Sequence, residues 1–462
     1  MKTKITSFIF AFVALFMILI WTFRSDIKFV FPKQYKKYTE IIKVFKGHNP
    51  KNKIDNLYNE IAKVINDPLI IGEKKVLDGV EFISFSLPKI FPSKAGGGAV
   101  NSGYIDFFED KLIFASAAGI FALVDHYNNT MKLNFINSNI TEIINNNLFF
   151  SESKFGIKDI LVSEGFIYIS LTKLEDKSFN LALYRAPLSE KNLIFEPFFI
   201  PEDFIKPNNE KLYLEQINPH QSGGRIVEGR KDSLIVSLGE FRSRLLAQDD
   251  NSVNGKIISI SKKTKKYRII SKGHRNPQGL FYDANQDILM STEHGPAGGD
   301  EINLNLDINI QKNFGWPISS YGFHYNTDEN TNNHSKSKRV VKGAPLLKSH
   351  KEYGFEEPIY FFKENPGISQ LILSRVNKPN VEFFIGTLGW PSLKDSDRPH
   401  LRSLVFFDYN ISNNNIHLKK SINLGERIRD IIYNELSGNT YLVGETNGNI
   451  YFIKNLNSLS FE

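Results

Sequence analysis

The sequence predicts an all-β protein folded as a six-bladed β-propeller. From about Val76 onward, apolar residues recur at every second position in short runs, such as DILVSEGFIYISLT and GNTYLVGETNGNIYFIKN. Most of these runs end at Gly, Asn or Asp, as expected for antiparallel strands joined by tight turns. A unit of strand, polar turn, strand and polar loop recurs every ~50 to 70 residues, which indicates propeller blades with long loops.

The number of blades follows from the length of the repeating region. Roughly 380 residues divided by that repeat give about six blades, which we assign to residues 76–458. Two packed sheets are the structural alternative, but they would need a linker near the middle, and the sequence contains none. Two stretches, 325–343 and 389–402, are predicted to be long surface loops.

The N-terminus predicts a membrane anchor. Lys2 and Lys4 precede a nearly unbroken apolar run from Ile5 to Phe23, about the length that crosses a bilayer as a helix. Its bulky C-terminal end favours an uncleaved anchor over residues 1–23, with a cleaved signal peptide as the alternative. The positive N-terminal charge places this end in the cytoplasm. We therefore expect a single-pass protein of the cell membrane, with its C-terminal domain on the exported, periplasmic side.

Residues 24–75 differ from the repeating region. Apolar residues recur there at helical spacing in two stretches, 35–45 and 54–65, separated by GHNPKNK. We interpret this segment as two amphipathic helices that form a stalk or a cap.

Composition excludes several classes of function. The chain has a formal charge of +7, but its lysines are scattered and form no basic stripe with interleaved aromatic residues. We therefore predict no nucleic-acid partner. The absence of cysteine excludes disulfides, thiolate metal sites, iron–sulfur clusters and thiol nucleophiles.

Polar residues of unusual variety cluster between Gly273 and Pro317. This stretch contains GHRNPQGL, TEHGPAGGDEINL and NFGWP, and it brings together a guanidinium, an amide, an imidazole and two carboxylates. The residues concerned are Arg275, Asn276, His294, Asp300 and Glu301. Such a mixture suits a loop rim that holds an anionic ligand and a hard cation. Turn chemistry alone is the alternative.

A second segment predicts a general base. His220 lies in a loop before a strand that begins near Gly223, and Glu240 follows the next strand of the same hairpin. Both positions emerge at one edge of an antiparallel pair, so Glu240 can orient the imidazole of His220. A neutral imidazole backed by a carboxylate is what a base near neutral pH requires. A purely structural His–Glu hydrogen bond is the alternative.

A third segment, GERIRDI, predicts an anion site. Arg427 and Arg429 lie two residues apart in a predicted strand and therefore point to the same face. Two guanidinium groups on one face suit an anion with several carboxylates or phosphates. A pair of surface arginines is the alternative.

Six motifs in this order carry a resemblance to one family. The sequence contains NPHQSGGRIV, AQDD…NGKI, GHRNPQGL, TEHGPAGGDEINL, NFGWP and ERIRDI, and it resembles the glucose/sorbosone dehydrogenase family. That family consists of six-bladed β-propellers that use pyrroloquinoline quinone (PQQ) and calcium. The resemblance covers residues 210–455, is faint over 76–200 and is absent before 76.

The resemblance implies roles in catalysis. His220 matches the base that takes the proton from the anomeric hydroxyl of the sugar, and Glu240 matches the carboxylate that orients it. Arg275 matches the arginine that polarises a quinone carbonyl and stabilises the reduced cofactor.

It also implies ligands for the cofactor and for calcium. The positions that match cofactor-binding residues are Gln248, Arg275, Asn276, Asp300, Arg427 and Arg429. The backbone carbonyls of Gly295 and Pro296 match the active-site calcium ligands. Glu301 matches an acid of a second, structural calcium site, which also uses carbonyls near Phe314.

One position departs from the family. The family has a lysine that contacts the cofactor directly after the strand corresponding to FFIGTL. Here that position is Gly389, followed by the insertion WPSLKDSDRPH. Two alternatives follow: either Lys394 or Arg398 substitutes for this lysine, or the quinone site has been lost. Loss of one charge-assisted contact would weaken binding by about 1.5 to 3 kcal/mol.

The sequence thus predicts a PQQ- and calcium-dependent dehydrogenase that oxidises a hydroxyl of an aldose-type sugar and passes electrons to an unidentified acceptor. The alternative is a non-catalytic propeller that binds carbohydrate or protein after losing the cofactor. A third hypothesis is a calcium-dependent lactone hydrolase, in which the paired arginines have no evident role.

Overall fold

The computed structural model describes residues 70–87, 102–144, 155–176, 178–206, 219–324, 343–389 and 400–456. These residues form 28 strands, one short α-helix (α1, Ile140–Ile143) and two short 3₁₀ helices, Arg244–Ala247 and Lys351–Tyr353. The predicted anchor over 1–23 and most of the predicted helical segment lie outside the described residues. No helix in the described ranges is long and apolar enough to cross a membrane.

The first half of the described chain forms three sheets, which we number as blades 1 to 3. Blade 1 contains β4 (Gly103–Phe108), β5 (Lys111–Ser116), β6 (Phe121–Tyr127) and β7 (Thr130–Ser138), extended by β1 (Ile70–Ile71) and β11 (Asn192–Leu193). Blade 2 contains β8 (Ile157–Ser163), β9 (Phe166–Glu175), β10 (Ser178–Pro187) and β12 (Glu196–Phe199). Blade 3 contains β13 (Gly223–Glu228), β14 (Ser233–Leu238), β15 (Lys256–Ser261), β16 (Tyr267–Lys272) and β20 (Lys312–Asn313).

The second half forms blades 4 to 6. Blade 4 contains β17 (Pro277–Asp283), β18 (Ile288–Glu293), β19 (Asp300–Asn305) and β21 (Tyr360–Phe362). Blade 5 contains β22 (Ile368–Asn377), β23 (Asn380–Thr387), β24 (Ser403–Asn410) and β25 (Asn415–Asn423). Blade 6 contains β26 (Ile428–Tyr433), β27 (Thr440–Gly444), β28 (Asn449–Ile453), β3 (Val80–Ser86) and β2 (Glu73–Leu77).

The six sheets close into a ring around one axis. The inner strands β4, β8, β13, β17, β22 and β26 contact one another in that order, and β26 contacts β4. Apolar clusters fill the spaces between blades; one joins Phe82 of blade 6 to Phe384 and Leu404 of blade 5. The described residues therefore confirm the predicted all-β, six-bladed propeller.

Blade 6 closes the ring with strands from both ends of the described chain. Residues 449–452 of β28 pair with residues 83–86 of β3 in antiparallel register. The sequence-based boundary at residue 76 was too late, because β1 and β2 already belong to the sheets. The segment EKKVL of β2 is an exposed edge strand without apolar alternation, so its sequence gave no period-two signal.

One end of the propeller carries the loops that matter for function. Each inner strand runs first in its antiparallel sheet, so all six begin at the same end of the axis. The connections between second and third strands, and those between successive blades, emerge at that end too. We call this end the loop face.

Candidate active site on the loop face

The predicted site residues come from several loops that converge on the loop face. His220 precedes β13, Glu240 follows β14, and Arg275 and Asn276 link blade 3 to blade 4. The segment 294–299 joins β18 to β19. Arg427 lies in the link from blade 5 to blade 6, and Arg429 is the second residue of β26. The ring thus gathers residues that are up to about 200 positions apart in the sequence.

Bulges shape the mouth of the axis. In five of the six inner strands, the pairing register shifts at the first residues on the loop face. In three of these strands one extra residue sits between two paired ones, namely Lys158 in β8, Gln278 in β17 and Arg429 in β26. Such bulges redirect a side chain away from the regular alternation of a strand.

Glu240 sits in a buried network of polar groups. Its side chain is fully buried, and the Gln221 side-chain amide donates to its Oε1 atom while accepting a hydrogen bond of 2.7 Å from Nη2 of Arg275. The other oxygen, Oε2, has no hydrogen-bond partner among the described residues. Burial raises the pKa of Glu240 to about 7, although Arg275, Arg244 and Arg242 oppose this shift.

His220 and Glu240 lie at the same edge of the blade 3 hairpin, as the sequence predicted. The backbone N–H of Phe241 donates to the carbonyl of Gln221 at 3.0 Å, and that of Gly239 donates to the carbonyl of Ser222 at 2.8 Å. These bonds hold the residues around His220 beside the residues around Glu240. The direct bond from Glu240 to His220 stays a prediction, and sequence reasoning missed Gln221 between Glu240 and Arg275.

Arg275 is buried at the centre of the site. Its Nη1 atom donates to the carbonyl of His294 at 2.7 Å, and its backbone N–H donates to Glu293 at 2.7 Å. The guanidinium carbon lies 5.4 Å from the ring centroid of Trp316, within the range of a cation–π contact. Arg275 is therefore rigidly placed with its charge held inside the protein.

His294 is held in the neutral form. Its Nε2 atom lies 2.8 Å from the carbonyl of Ile368 and its Nδ1 atom lies 3.3 Å from the amide nitrogen of Asn276. An imidazole that donates to a carbonyl from Nε2 and accepts at Nδ1 carries its proton on Nε2. Burial lowers the pKa of His294 to about 3, and the positive charges of Arg275 and Arg429 act in the same direction.

A carboxylate that sequence reasoning missed binds both arginines of GERIRDI. Nε of Arg427 donates to Oε1 of Glu445, and Nε of Arg429 donates to Oε2, each at 2.6 Å. Burial alone would raise the pKa of Glu445, but Arg429 and Arg427 outweigh it and lower the pKa to about 2. The two arginines thus point to one place and are more than a random surface pair. Because both arginines bind the single carboxylate of Glu445, the three side chains together carry one net positive charge.

Arg402 is a further cation near the arginine pair. A Cβ atom placed on Gly389 would lie 3.3 Å from Cγ of Arg402. The carbonyl of Gly389 itself accepts a hydrogen bond from Arg427. Burial lowers the pKa of Arg427, and the charges of Arg429 and Arg402 contribute to this shift while Glu445 opposes it. Lys394 and Arg398, the substitutes expected from the sequence, lie outside the described residues.

Both carboxylate oxygens of Asp300 accept hydrogen bonds from backbone N–H groups. Its Oδ1 atom accepts the N–H of Gly295 at 2.9 Å, and its Oδ2 atom accepts those of Gly367 and Ile368 at 2.8 and 3.3 Å. Burial raises the pKa of Asp300 to about 7, and these N–H groups oppose the shift. Asp300 therefore ties the loop containing Gly295 to the connection between blades 4 and 5.

The predicted calcium carbonyls lie in that same loop. The carbonyl of Pro296 accepts a hydrogen bond of 2.8 Å from the side-chain amide of Asn365. Within the described part of the chain, no group of three or more His, Asp or Glu side chains is arranged to hold a metal ion. Calcium takes six to eight oxygen ligands, so the carbonyls of Gly295 and Pro296 could hold it only with oxygens from a bound ligand and water.

An imidazole lies between the residues predicted for the second calcium site. Nδ1 of His350 is 2.9 Å from the carbonyl of Phe314, and its Nε2 is 3.3 Å from Oε1 of Glu301. Burial lowers and Glu301 raises the pKa of His350, with a net upward shift. A calcium ion bound to both Glu301 and Phe314 would have to displace this ring, so the described arrangement does not fit a metal there. Sequence reasoning missed His350 because it follows a long polar loop.

Gln248 supports the wall of the site from behind. Its side-chain nitrogen donates to the carbonyl of Trp316 at 2.7 Å and to Oδ1 of Asn313 at 3.0 Å, and its oxygen accepts from Asn313 at 2.8 Å. Both ends of the amide are thus used within the protein. The predicted contact of Gln248 with a cofactor stays a prediction, whereas its role in fixing Trp316 follows from these bonds.

A buried arginine underlies the site along the axis. Arg225 of β13 donates from Nη1 to Asp159 of β8 at 2.9 Å and to Asp430 of β26 at 2.5 Å. It also donates from Nη2 to the carbonyl of Arg429 at 2.6 Å and from Nε to the carbonyl of Gln278 at 2.7 Å. Arg225 thereby connects blade 3 to blades 2, 4 and 6.

The amino-acid sequence is similar to those of known proteins. Residues 122–452 match the family described as glucose/sorbosone dehydrogenase. Aldose sugar dehydrogenase YliI of Escherichia coli K12 is 30% identical over 191 residues, which are 38% of this chain and 46% of that protein. Quinoprotein glucose dehydrogenase B of Acinetobacter calcoaceticus is 29% identical over 184 residues, which are 31% of this chain and 37% of that protein. The matched region thus spans less than half the length of these two relatives.

Solved structures share the fold. The apo form of the soluble aldose sugar dehydrogenase from Escherichia coli superposes with a TM-score of 0.55 at 19% identity, covering 80% of this chain and 99% of that one. The PQQ-bound aldose sugar dehydrogenase from Streptomyces coelicolor gives a TM-score of 0.51 at 16% identity, with 81% and 98% covered. At these identities the likeness concerns the fold. Because the family match covers most of the chain, the protein belongs to the glucose/sorbosone dehydrogenase family.

Proposed function

We propose that this protein is a PQQ-dependent sugar dehydrogenase whose reaction takes place on the loop face. The observation that carries the proposal is the set of arginines converging there, with the buried Arg275 on one side and the buried Arg427 and partly buried Arg429 on the other. The names of the relatives, an aldose sugar dehydrogenase and a quinoprotein glucose dehydrogenase, support the same class of reaction. We expect an aldose-type sugar as the substrate.

The chemistry of the donor set fits a polycarboxylate cofactor. Arg427 and Arg429 share Glu445, and Arg402 and Arg275 add positive charge nearby. Buried guanidinium groups bind carboxylates through paired, charge-assisted hydrogen bonds. Asn276 adds a side-chain amide at the same rim. Arg402, beside Gly389, supplies a cation near the position at which this chain lacks the lysine of its family.

The residues of this chain divide the reaction between them. PQQ, when bound, would supply the acceptor for the hydride of the anomeric carbon of the sugar. His220 takes the proton of the anomeric hydroxyl, and Glu240 stabilises the positive charge that then forms on the imidazole. Arg275 would place its guanidinium group beside the bound cofactor and would stabilise negative charge that develops on an oxygen there. His294 is neutral, so it adds no charge of its own beside Arg275.

Gly295 and Pro296 are the residues that would bind calcium. Their two backbone carbonyls would supply part of the coordination shell of calcium, and oxygens of a bound ligand and water would have to supply the rest. Because the site needs both, calcium and PQQ are expected to bind cooperatively. The pair Glu301 and Phe314 is not proposed as a metal site, because His350 lies between them.

We further propose that the reaction takes place on the exported side of the membrane, with residues 1–23 as the anchor. The apolar run and the two leading lysines support this location. Fractionation of cells, followed by protease treatment of intact spheroplasts, tests it. Protection of the propeller from external protease would contradict the proposal.

Reconstitution tests the catalytic proposal directly. The purified protein is loaded with PQQ and calcium, and reduction of an artificial electron acceptor is followed over a panel of aldoses. We expect turnover with at least one aldose. Absence of quinone absorbance after desalting would instead favour a propeller that binds carbohydrate or protein without a cofactor.

The base is tested by His220→Ala in the same assay. Removing the proton acceptor should lower kcat by about 100-fold or more while the retained quinone absorbance is unchanged. Tyr127→Ala, a substitution of an exposed residue on an outer part of blade 1, serves as the control. Loss of quinone binding together with turnover would argue that His220 builds the cofactor site and does not act as the base.

A further inference from the structure

Lys158 is a cation at the mouth of the axis that the proposed reaction has not used. It is the second residue of β8 in blade 2, and its side chain is partly buried. Ile157 pairs with Leu171 and Asp159 pairs with Ser170, so Lys158 is the extra residue of a bulge. A bulge at the end of an inner strand redirects that side chain from the regular alternation.

The bulges of blades 4 and 6 show where such residues reach. Gln278 and Arg429 are the extra residues of their strands, and Nη1 of Arg429 donates to Oε1 of Gln278 at 2.8 Å. They meet although blade 5 lies between their blades, so both extend toward the axis. Lys158 holds the equivalent position in blade 2. The three bulge residues therefore alternate with blades 1, 3 and 5 around the pocket.

The neighbouring blade leaves room for the stem of Lys158. A Cβ atom placed on Gly224 of β13 would lie 2.4 Å from Cβ and 3.1 Å from Cγ of Lys158. Gly224 also has a φ of +120°, which residues with a side chain rarely adopt. The lysine stem thus packs over bare backbone of blade 3.

Electrostatics link Lys158 to the arginine pair. Burial lowers the pKa of Lys158 to about 7, and the positive charge of Arg429 adds to this shift while Glu445 opposes it. The charges of Arg429 and Glu445 therefore both act on the ammonium group of Lys158. A cluster of positive charges held together in this way is stabilised by an anion placed among them.

We propose that Lys158 is a further cation of the ligand pocket and binds a carboxylate of the same anionic ligand that Arg427 and Arg429 hold. The inference rests on the proposed function and extends it to blade 2, outside the segments with the family motifs. It assigns the bulge at the start of β8 a role in ligand affinity. Together with Arg402, Lys158 would supply positive charge that the glycine at position 389 does not.

Binding of PQQ to the apo protein tests this assignment without reference to turnover. Calorimetric titrations at fixed calcium and ionic strength compare the wild-type protein, Lys158→Met and Lys158→Arg. Lys132→Met, which removes an exposed lysine from the outer strand β7, is the matched control. We expect Lys158→Met to raise the Kd for PQQ at least tenfold, and the other two variants to stay within about threefold of the wild type.

Added salt gives a second readout in the same variants. Screening weakens charge–charge attraction, so the Kd of the wild type should rise with salt more steeply than that of Lys158→Met. If Lys158→Met does not fold, lysine labelling of the wild-type protein replaces the titration. PQQ should then protect Lys158, but not Lys132, from acetylation as measured by mass spectrometry.

The outcomes separate this inference from the proposed function. Failure of the wild-type protein to bind PQQ would overturn both. Tight binding by the wild type with an equal Kd for Lys158→Met, or equal labelling of Lys158 with and without PQQ, would overturn the role of Lys158 alone. A large loss in Lys158→Met that Lys158→Arg restores would support it.

Discussion

Two buried carboxylates on the loop face lie near arginines, yet their pKa values move in opposite directions. Glu445 receives a hydrogen bond of 2.6 Å on each oxygen from Arg427 and Arg429, and its pKa falls to about 2. Glu240 accepts a hydrogen bond from Gln221 on one oxygen and has no partner for the other in the part of the chain that the structure describes, and its pKa rises to about 7. Direct ion pairing outweighs burial at Glu445, whereas burial outweighs more distant charges at Glu240.

The low pKa of Glu445 makes it a stabilising group at neutral pH. A carboxyl whose pKa is lower in the folded state stabilises the protein above its unfolded value of 4.5, and this stability is lost as the pH falls toward 2. Glu445→Gln should therefore lower the free energy of unfolding by about 3 kcal/mol at pH 7. Urea unfolding of the wild type and the variant measures this difference in the free energy of unfolding. A deficit that does not shrink between pH 5 and pH 2.5 would contradict this account.

The raised pKa of Glu240 has the opposite effect on stability. A carboxyl whose pKa is higher in the folded state destabilises the protein as the pH rises from 4.5 through about 7. Glu240→Gln should leave stability nearly unchanged at pH 4.5 and raise it by up to about 3 kcal/mol at pH 8. Thermal unfolding at the two pH values measures this difference. Equal effects at both pH values would show that folding does not raise the pKa of Glu240.

At the scale of elements, strands and turns were predictable but the bulges were not. Period-two runs predicted the strands, and the motif GHRNPQGL placed Arg275 in a loop between them. No sequence pattern marks Lys158, Gln278 or Arg429 as the extra residue of a bulge, because a bulge depends on pairing with the neighbouring strand. Glu445 was missed for a similar reason, since its partners Arg429 and Arg427 lie 16 and 18 residues earlier in the chain, on β26 and directly before it.

The loop that carries Gln248 is fixed by a buried ammonium group. Nζ of Lys256 donates to the carbonyls of Leu246, Ala247 and Asn254 at 2.7, 3.1 and 3.0 Å. Burial lowers its pKa to about 8, so it is largely charged at pH 7.

Replacing this ammonium group should loosen the loop. Lys256→Met removes one N–H donor from each of three carbonyls, so amide hydrogen exchange in residues 246–254 should accelerate, and stability should fall by about 2 kcal/mol. The control Lys272→Met removes a cation whose partner Asp250 is exposed, and it should change stability by less than about 1 kcal/mol. Unchanged exchange in Lys256→Met would show that the loop is held by other contacts.

At the scale of the whole molecule, the ring is joined at its axis as well as between blades. Arg225 bonds to Asp159 and Asp430, which belong to blades 2 and 6, and to backbone carbonyls of blades 4 and 6. The same residues form the floor under the loop face. Stability and the geometry of the site are therefore coupled through this one side chain.

Removing Arg225 should leave two buried carboxylates without their counter-charge. Arg225→Met is expected to lower the free energy of unfolding by about 3 to 5 kcal/mol. The triple variant Arg225→Met, Asp159→Asn, Asp430→Asn should recover most of this loss, because it removes the buried charges as well. Chemical unfolding measures all three proteins. A triple variant no more stable than the single variant would indicate that Arg225 acts through packing.

The central claim is that the loop face binds an anionic quinone through its converging cations. Titration of the purified apo protein with PQQ in the presence of calcium, followed by desalting and measurement of the quinone absorbance, tests it most directly. The account predicts one retained PQQ per chain, and far less for the variant Arg427→Met, Arg429→Met. No retained quinone in the wild type, or equal retention in both proteins, would contradict it.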